Sequence, residues 1–174
     1  AITRNAIRPE EVGHFHADIF YLPRDSEYQR CIMLVDQKTR FTHSRFTDKR
    51  EFNEYDAITA FEELKSKIEA TGHQIRSLRW DGEGAIWSEK FKTWCDANNI
   101  ERHRNTASEQ NLAETKIAKM RDIQRKIQGE SNVPKELEFY TYRHALHTLN
   151  IRPTQPLMGR TPMQEYMQKS PNRV

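Results

Sequence analysis

The chain has 174 residues, 36% of them apolar and 30% charged, which is enough for one hydrophobic core and shows no composition break to suggest two. Its 28 basic and 25 acidic residues leave a net charge of +3 and a pI near 8.9, which permits a nucleic-acid partner without demanding one. No apolar run approaches the roughly 18 residues of a membrane span, which excludes a membrane role, and the start AITRNAIRPEE has no methionine and no signal-like apolar stretch, so the chain reads as excised from something larger.

In chain order, GHFHADIFYL and YQRCIMLVD have strand length and strand-forming composition, and FTHSRF alternates as a third strand after the turn DQKTR. Three successive strands predict an antiparallel meander. Ile58, Phe61, Leu64 or Lys65, and Ile68 then recur at helical spacing, with Gly72 where a glycine ends a helix. HQIRSLRW returns as a strand, Ser88 is a candidate N-cap for a helix with Phe91, Trp94 and Cys95 on one face, and IERHR is a short fifth strand. From about residue 109 the stripe Ala113, Ile117, Met120, Ile123 and Ile127 predicts a helix ending near Gly129. A last long helix is expected to begin near Asn132 and Pro134, with Phe139, Tyr142, Leu146 and Leu149 toward the core. The pattern is α/β, a mixed sheet covered by helices, with the fourth strand placed parallel to the first. Cys31 and Cys95, without zinc-spaced partners, read as reduced core thiols suited to an intracellular protein.

Three carboxylates stand out: Asp18 within the first strand, Asp81 after the fourth, and Glu114 in the first turns of the helix after the fifth. If the first and fourth strands are neighbours, the two aspartates lie close together, and a helix across the sheet brings Glu114 to them. Such a set suits a hard divalent cation. The bland alternative for Asp81 is a turn or cap residue. An aspartate in an apolar strand, like Asp18, is harder to explain structurally. Asp36 reads as structural and Glu83 as lining its turn. His14 and His16 lack the further ligands of a zinc site, and Trp80, Trp87 and Trp94 read as core aromatics.

The segments FHADIFYL, CIMLVDQKTRF, LRWDGEGAIW with FKTWCDANNIERHR, QNLAETK and LNIRPTQPLMGRTPMQEY, in this order, resemble the catalytic core of copia-type long-terminal-repeat retrotransposon integrases, within the wider retroviral integrase family of ribonuclease-H-like fold. The resemblance covers nearly the whole chain. It implies a single catalytic-core domain over 1–174, with about 1–12 an N-terminal extension and about 151–174 an irregular C-terminal segment holding a short helix. It also implies a mixed five-stranded sheet flanked by helices, a D, D, E triad on Asp18, Asp81 and Glu114, and two magnesium or manganese ions that serve in-line transesterification of DNA. The implied partners are retrotransposon DNA ends, a target duplex, a second copy of the chain or a higher oligomer, and a host tethering factor. The implied setting is the nucleus, after a cytoplasmic virus-like-particle stage.

The sequence departs from the family's pattern at several places. Asp81 and Glu114 stand 33 positions apart, a shortened spacing, and the loop RNTASEQNLAET lacks a glycine and a proline. The acidic turn reads DGEGAI, and Thr115 stands where arginine is usual. These changes motivate an alternative, a domesticated or degenerate core that binds DNA or self-associates without catalysis. A ribonuclease H would need a further carboxylate on the first helix, for which Glu62, Glu63 and Glu69 are candidates, and has no place for LNIRPTQPLMGRTP.

For DNA, Glu114, Ala118, Arg121 and Arg125 share a helix face, with Lys116 and Lys119 expected to flank it and Arg102, His103 and Arg104 to extend the charge. The bland reading of that face is a solvated helix surface. No base-reading motif accompanies it, so contacts should be to phosphate.

Overall fold

β1 (His14–Tyr21), with core residues on both faces, pairs antiparallel with β2 (Arg30–Asp36), as β2 does with β3 (Thr42–Thr47). The computed structural model describes residues 11–81, 84–106 and 108–168. From the meander the chain passes through α1 (Glu54–Ala70) to β4 (Ser77–Trp80), parallel to β1, and through α2 (Glu89–Ala97) to β5 (Glu101–Arg104), parallel to β4. The order across the sheet is β3-β2-β1-β4-β5. Helices α3 (Leu112–Glu130), α4 (Glu138–Ile151) and the short α5 (Pro162–Met167) follow. This is the expected mixed five-stranded sheet flanked by helices.

The two faces of the sheet bury separate cores. Phe15, Ala17, Ile32, Leu34, Leu78 and Trp80 meet α1 and α2 through Phe61, Leu64, Phe91 and Cys95. On the other face Phe20, Cys31 and Met33 meet Ile117 and Met120 of α3 and Leu146 and Leu149 of α4. Residues 14, 16, 18 and 20 of β1 therefore point toward α3, while 15, 17 and 19 point toward α1. Both cysteines are free and buried, as expected. No helix among the described residues is long and apolar enough to cross a membrane.

Local chemistry explains most boundaries. Asn53 caps α1 in a reciprocal box with Asp56, and Ser88 caps α2 by accepting from the Phe91 amide at 3.2 Å. Asp36, fully buried, accepts the Gly13 amide at 2.9 Å and the Thr39 amide and hydroxyl at 2.8 Å each, which confirms its structural role. Gly13 holds φ +126°, and a Cβ there would lie 2.4 Å from the Gln74 carbonyl, so the entry to β1 admits only glycine. One boundary differs from expectation. Pro134 precedes a 3₁₀ turn, Lys135–Leu137, and α4 begins only at Glu138. Proline's fixed φ suits that turn as readily as a helix's first turn.

The edge strand β3 and the C-terminal segment are tied down by polar side chains. Asn150 of α4 accepts the Thr42 amide at 2.8 Å and donates to the Thr42 carbonyl at 2.9 Å, occupying the outer edge of β3 as a further strand would. Tyr166 of α5 stacks on Phe41 with centroids 4.2 Å apart, and its hydroxyl lies 2.8 Å from both His43 Nε2 and Thr71 Oγ1. Thr71 spends its proton on the Ile68 carbonyl, so Tyr166 donates to Thr71 and His43 donates to Tyr166.

Candidate active site

The parallel pairing of β1 with β4 sets His14 opposite Ser77, Phe15 opposite Leu78 and His16 opposite Arg79, a constant offset of 63 (77 less 14). Continued by two residues past the last pair, to the residue just after β4, the same offset sets Asp81 opposite Asp18 (81 less 18). Neighbouring strands run about 4.8 Å apart. Asp18 and Asp81 thus belong to one end of one strand pair, on the face that α3 covers.

The N-terminus of α3 is fastened to that point by two side chains. Asn111, its N-cap, accepts the Ala113 amide at 2.8 Å and the Glu114 amide at 3.4 Å, while its own amide donates to the Ala17 carbonyl at 3.2 Å. The Leu112 amide donates to His16 Nδ1 at 3.1 Å. One backbone residue before Asp18 is therefore bonded to the cap three residues before Glu114. Burial drives the His16 pKa down to about 4, and the nearby Arg79 and Arg40 charges push the same way, so the ring is neutral and free to accept.

Asp18 is half-buried and accepts the Ile19 amide at 2.8 Å. Burial raises its pKa above the ordinary aspartate value, the Ile19 bond opposes this, and the charges of Asp81 and Glu114 raise it further, with Arg121 opposing. The three carboxylates feel one another. Their oxygens are not drawn into a closed ligand set: among the described residues no three His, Cys, Asp or Glu side chains are grouped as a metal site. Glu83 lies outside the described residues.

The donor chemistry fits a hard divalent cation, because such ions prefer carboxylate oxygens and a dication would offset the Asp81 and Glu114 charges that disfavour ionised Asp18. His14 does other work, its Nδ1 lying 2.8 Å from Ser77 Oγ. Glu63 of α1 pairs with Arg45 at 2.5 Å and Glu69 with Lys65, on the helix across the sheet from α3, so neither joins the three carboxylates.

The basic residues divide in a way that corrects two expectations. Arg121 and Arg125 are exposed on the Glu114 face of α3. Lys119 is exposed but sits about 140° around the helix from Glu114, and Lys116 is only 6% exposed and about 200° around, at 100° per residue. Neither lysine flanks the track. Arg102 and Arg104 also lie elsewhere: they share the sheet face of Leu78 and Trp80, opposite α3, and stack over Trp87 at 5.3 and 5.2 Å. Arg102 donates to the Ile86 carbonyl at 3.0 Å, holding the turn after Asp81. Trp87 is half-buried between these arginines rather than fully in the core.

Solved structures with this architecture are retroviral. A chain of the simian T-cell lymphotropic virus intasome in complex with PP2A regulatory subunit B56 gamma superposes with TM-score 0.72 at 15% identity over 93% of this chain and 56% of that one. The HTLV-2 integrase catalytic core domain in complex with magnesium gives 0.64 at 18% identity over 87% and 94%, and the BIV integrase catalytic core domain 0.66 at 13% identity over 88% and 92%. The chain has the fold of a retroviral integrase catalytic core. It spans little more than half of the simian viral chain, 56%. No protein-family model and no curated protein matches the sequence.

Within this integrase fold, sequence reasoning missed Asn111 and His16 as the residues that position Glu114. Asn111 was findable, because asparagine ahead of LAET is a preferred N-cap. His16 carried no such signal, since its partner is an amide 96 positions away.

Proposed function

We propose that this chain is the catalytic core of a retrotransposon integrase of the copia type, joining the 3' ends of element DNA to target DNA by divalent-metal-dependent phosphoryl transfer. The observation that carries the reading is the strand register that sets Asp81 opposite Asp18, with Asn111 fastening Glu114 beside them. Asp18, Asp81 and Glu114 would hold magnesium or manganese, which when bound supplies the positive charge that activates an attacking oxygen and stabilises a leaving one. The HTLV-2 core, solved with magnesium, supports that assignment.

The chain's own residues bind and orient. Arg121 and Arg125, continuing from Glu114 along one face of α3, pair with backbone phosphates. Arg102 and Arg104 brace the segment after Asp81 through Trp87 and the Ile86 carbonyl. Association with a second copy and with a host factor is proposed by analogy with the dimeric HTLV-2 core and the B56 gamma complex, and action in the nucleus follows from a DNA target.

The test is a strand-transfer and cleavage assay with magnesium or manganese on labelled duplex ends. The expected result is metal-dependent product, abolished by Asp81→Asn. DNA binding without product at any metal concentration, from protein that binds the ion, sinks catalysis by this chain alone and favours the non-catalytic module that the shortened loop before Glu114 motivates.

A further inference from the structure

On the side of α3 turned away from Glu114, Lys116 is only 6% exposed beside the C-terminal end of α4. It lines a cavity of about 240 Å³ shared with Lys119, Lys126, Arg152 and Thr154. The one acid in the lining, Asp122, faces Arg125 at 3.5 Å. Four cations thus surround a small space with one carboxylate.

A second observation is independent of that charge. Thr154 Oγ1 is buried without a hydrogen-bond partner. Its backbone is fixed on both sides, the amide donating to the Arg160 carbonyl at 3.1 Å and the carbonyl accepting the Leu157 and Gly159 amides at 3.2 and 3.1 Å. The hydroxyl is held in place rather than left loose. A buried hydroxyl without a partner carries a desolvation cost that a bound acceptor would remove.

We propose that this cavity binds a phosphoryl group, as a phosphate monoester or pyrophosphate, with Lys116 at the floor, Lys119, Lys126 and Arg152 at the rim and Thr154 donating its hydroxyl. The site faces away from the Arg121 and Arg125 track, because Lys116 and Glu114 lie on opposite sides of α3. The space, about 240 Å³, fits a compact anion. Two sources share this chemistry: a free polyphosphate, and the terminal phosphate of a nucleic-acid strand.

The experiment is calorimetric titration of the chain, at matched ionic strength, with inorganic pyrophosphate, a 5'-phosphorylated dinucleotide, the same dinucleotide with a 5'-hydroxyl, and acetate. Pyrophosphate is expected to bind, with affinity at least tenfold weaker in Lys116→Met and in Arg152→Ala, and acetate not to bind. The phosphorylated dinucleotide binding while its hydroxyl form does not would identify a strand terminus as the source; pyrophosphate alone binding would identify a free anion. Thr154→Val gives the same answer should Lys116→Met fail to fold. Absence of pyrophosphate binding, or unchanged affinity in Arg152→Ala and Thr154→Val, overturns the site.

Discussion

At the scale of single residues, the candidate site works against the fold that carries it. Asp18 is half-buried and sits among like charges, so its pKa is raised in the folded state. A raised carboxyl pKa means that its contribution to stability is present below the unfolded value and lost as pH rises through the folded one, so at neutral pH the ionised form is a burden. Asp18→Asn should therefore raise the melting temperature of the metal-free protein at pH 7, read by circular dichroism, while removing any strand transfer. Asn111→Ala should do the reverse to stability. It removes the cap on the Ala113 and Glu114 amides and the tie to Ala17, for a loss of about 1 to 2 kcal/mol in denaturant unfolding, and it loosens Glu114. Asp18 was legible in the sequence because a carboxylate in an apolar strand is anomalous, whereas Asp81 and Glu114 were assigned through the family resemblance. The Asn111 and His16 ties were not legible, because each joins residues more than 90 positions apart, which no local pattern encodes.

At the scale of elements, the periodicities of α1 and α3 located their core faces, since 3.6-residue spacing depends only on which face is buried. Which way β5 faces was beyond such reasoning. IERHR alternates without an apolar face, so only its pairing with β4 decides that Arg102 and Arg104 turn toward Trp87. Lys116 was misplaced for a related reason: its burial comes from α4 and the segment after it, which sequence spacing on α3 does not reveal. The docking of α5 predicts a pH response. His43, 8% exposed, has its pKa driven down to about 4 by burial, with the Lys67 and His73 charges acting the same way. Because that value lies below the unfolded 6.5, the unfolded chain takes the proton first as pH falls, and stability is intact above 6.5 and lost toward 4. The loss is on the order of 3 kcal/mol. His43→Gln should flatten the decline in unfolding free energy across that window, and an unchanged slope would mean that His43 does not drive it.

At the scale of the whole molecule, charge is arranged by face rather than by excess. Arg121 and Arg125 leave the carboxylates along one side of α3, so duplex binding should weaken steeply with salt, and replacing either arginine by alanine should lower the slope of log affinity against log salt by about one. Equal slopes in fluorescence-anisotropy titrations would remove that helix face from the DNA interface. The sheet order sets Asp18 and Asp81 at one end of the β1–β4 pair, where the N-terminus of α3 is fastened, and the central claim is that Asp18, Asp81 and Glu114 act together on one metal site. The most direct measurement is manganese binding by calorimetry to the wild-type chain and to Asp18→Asn, Asp81→Asn and Glu114→Gln, each shown to be folded. The expected result is saturable binding by the wild type that each single substitution weakens at least tenfold. No binding by the folded wild type, or binding that survives all three substitutions, would contradict a shared site.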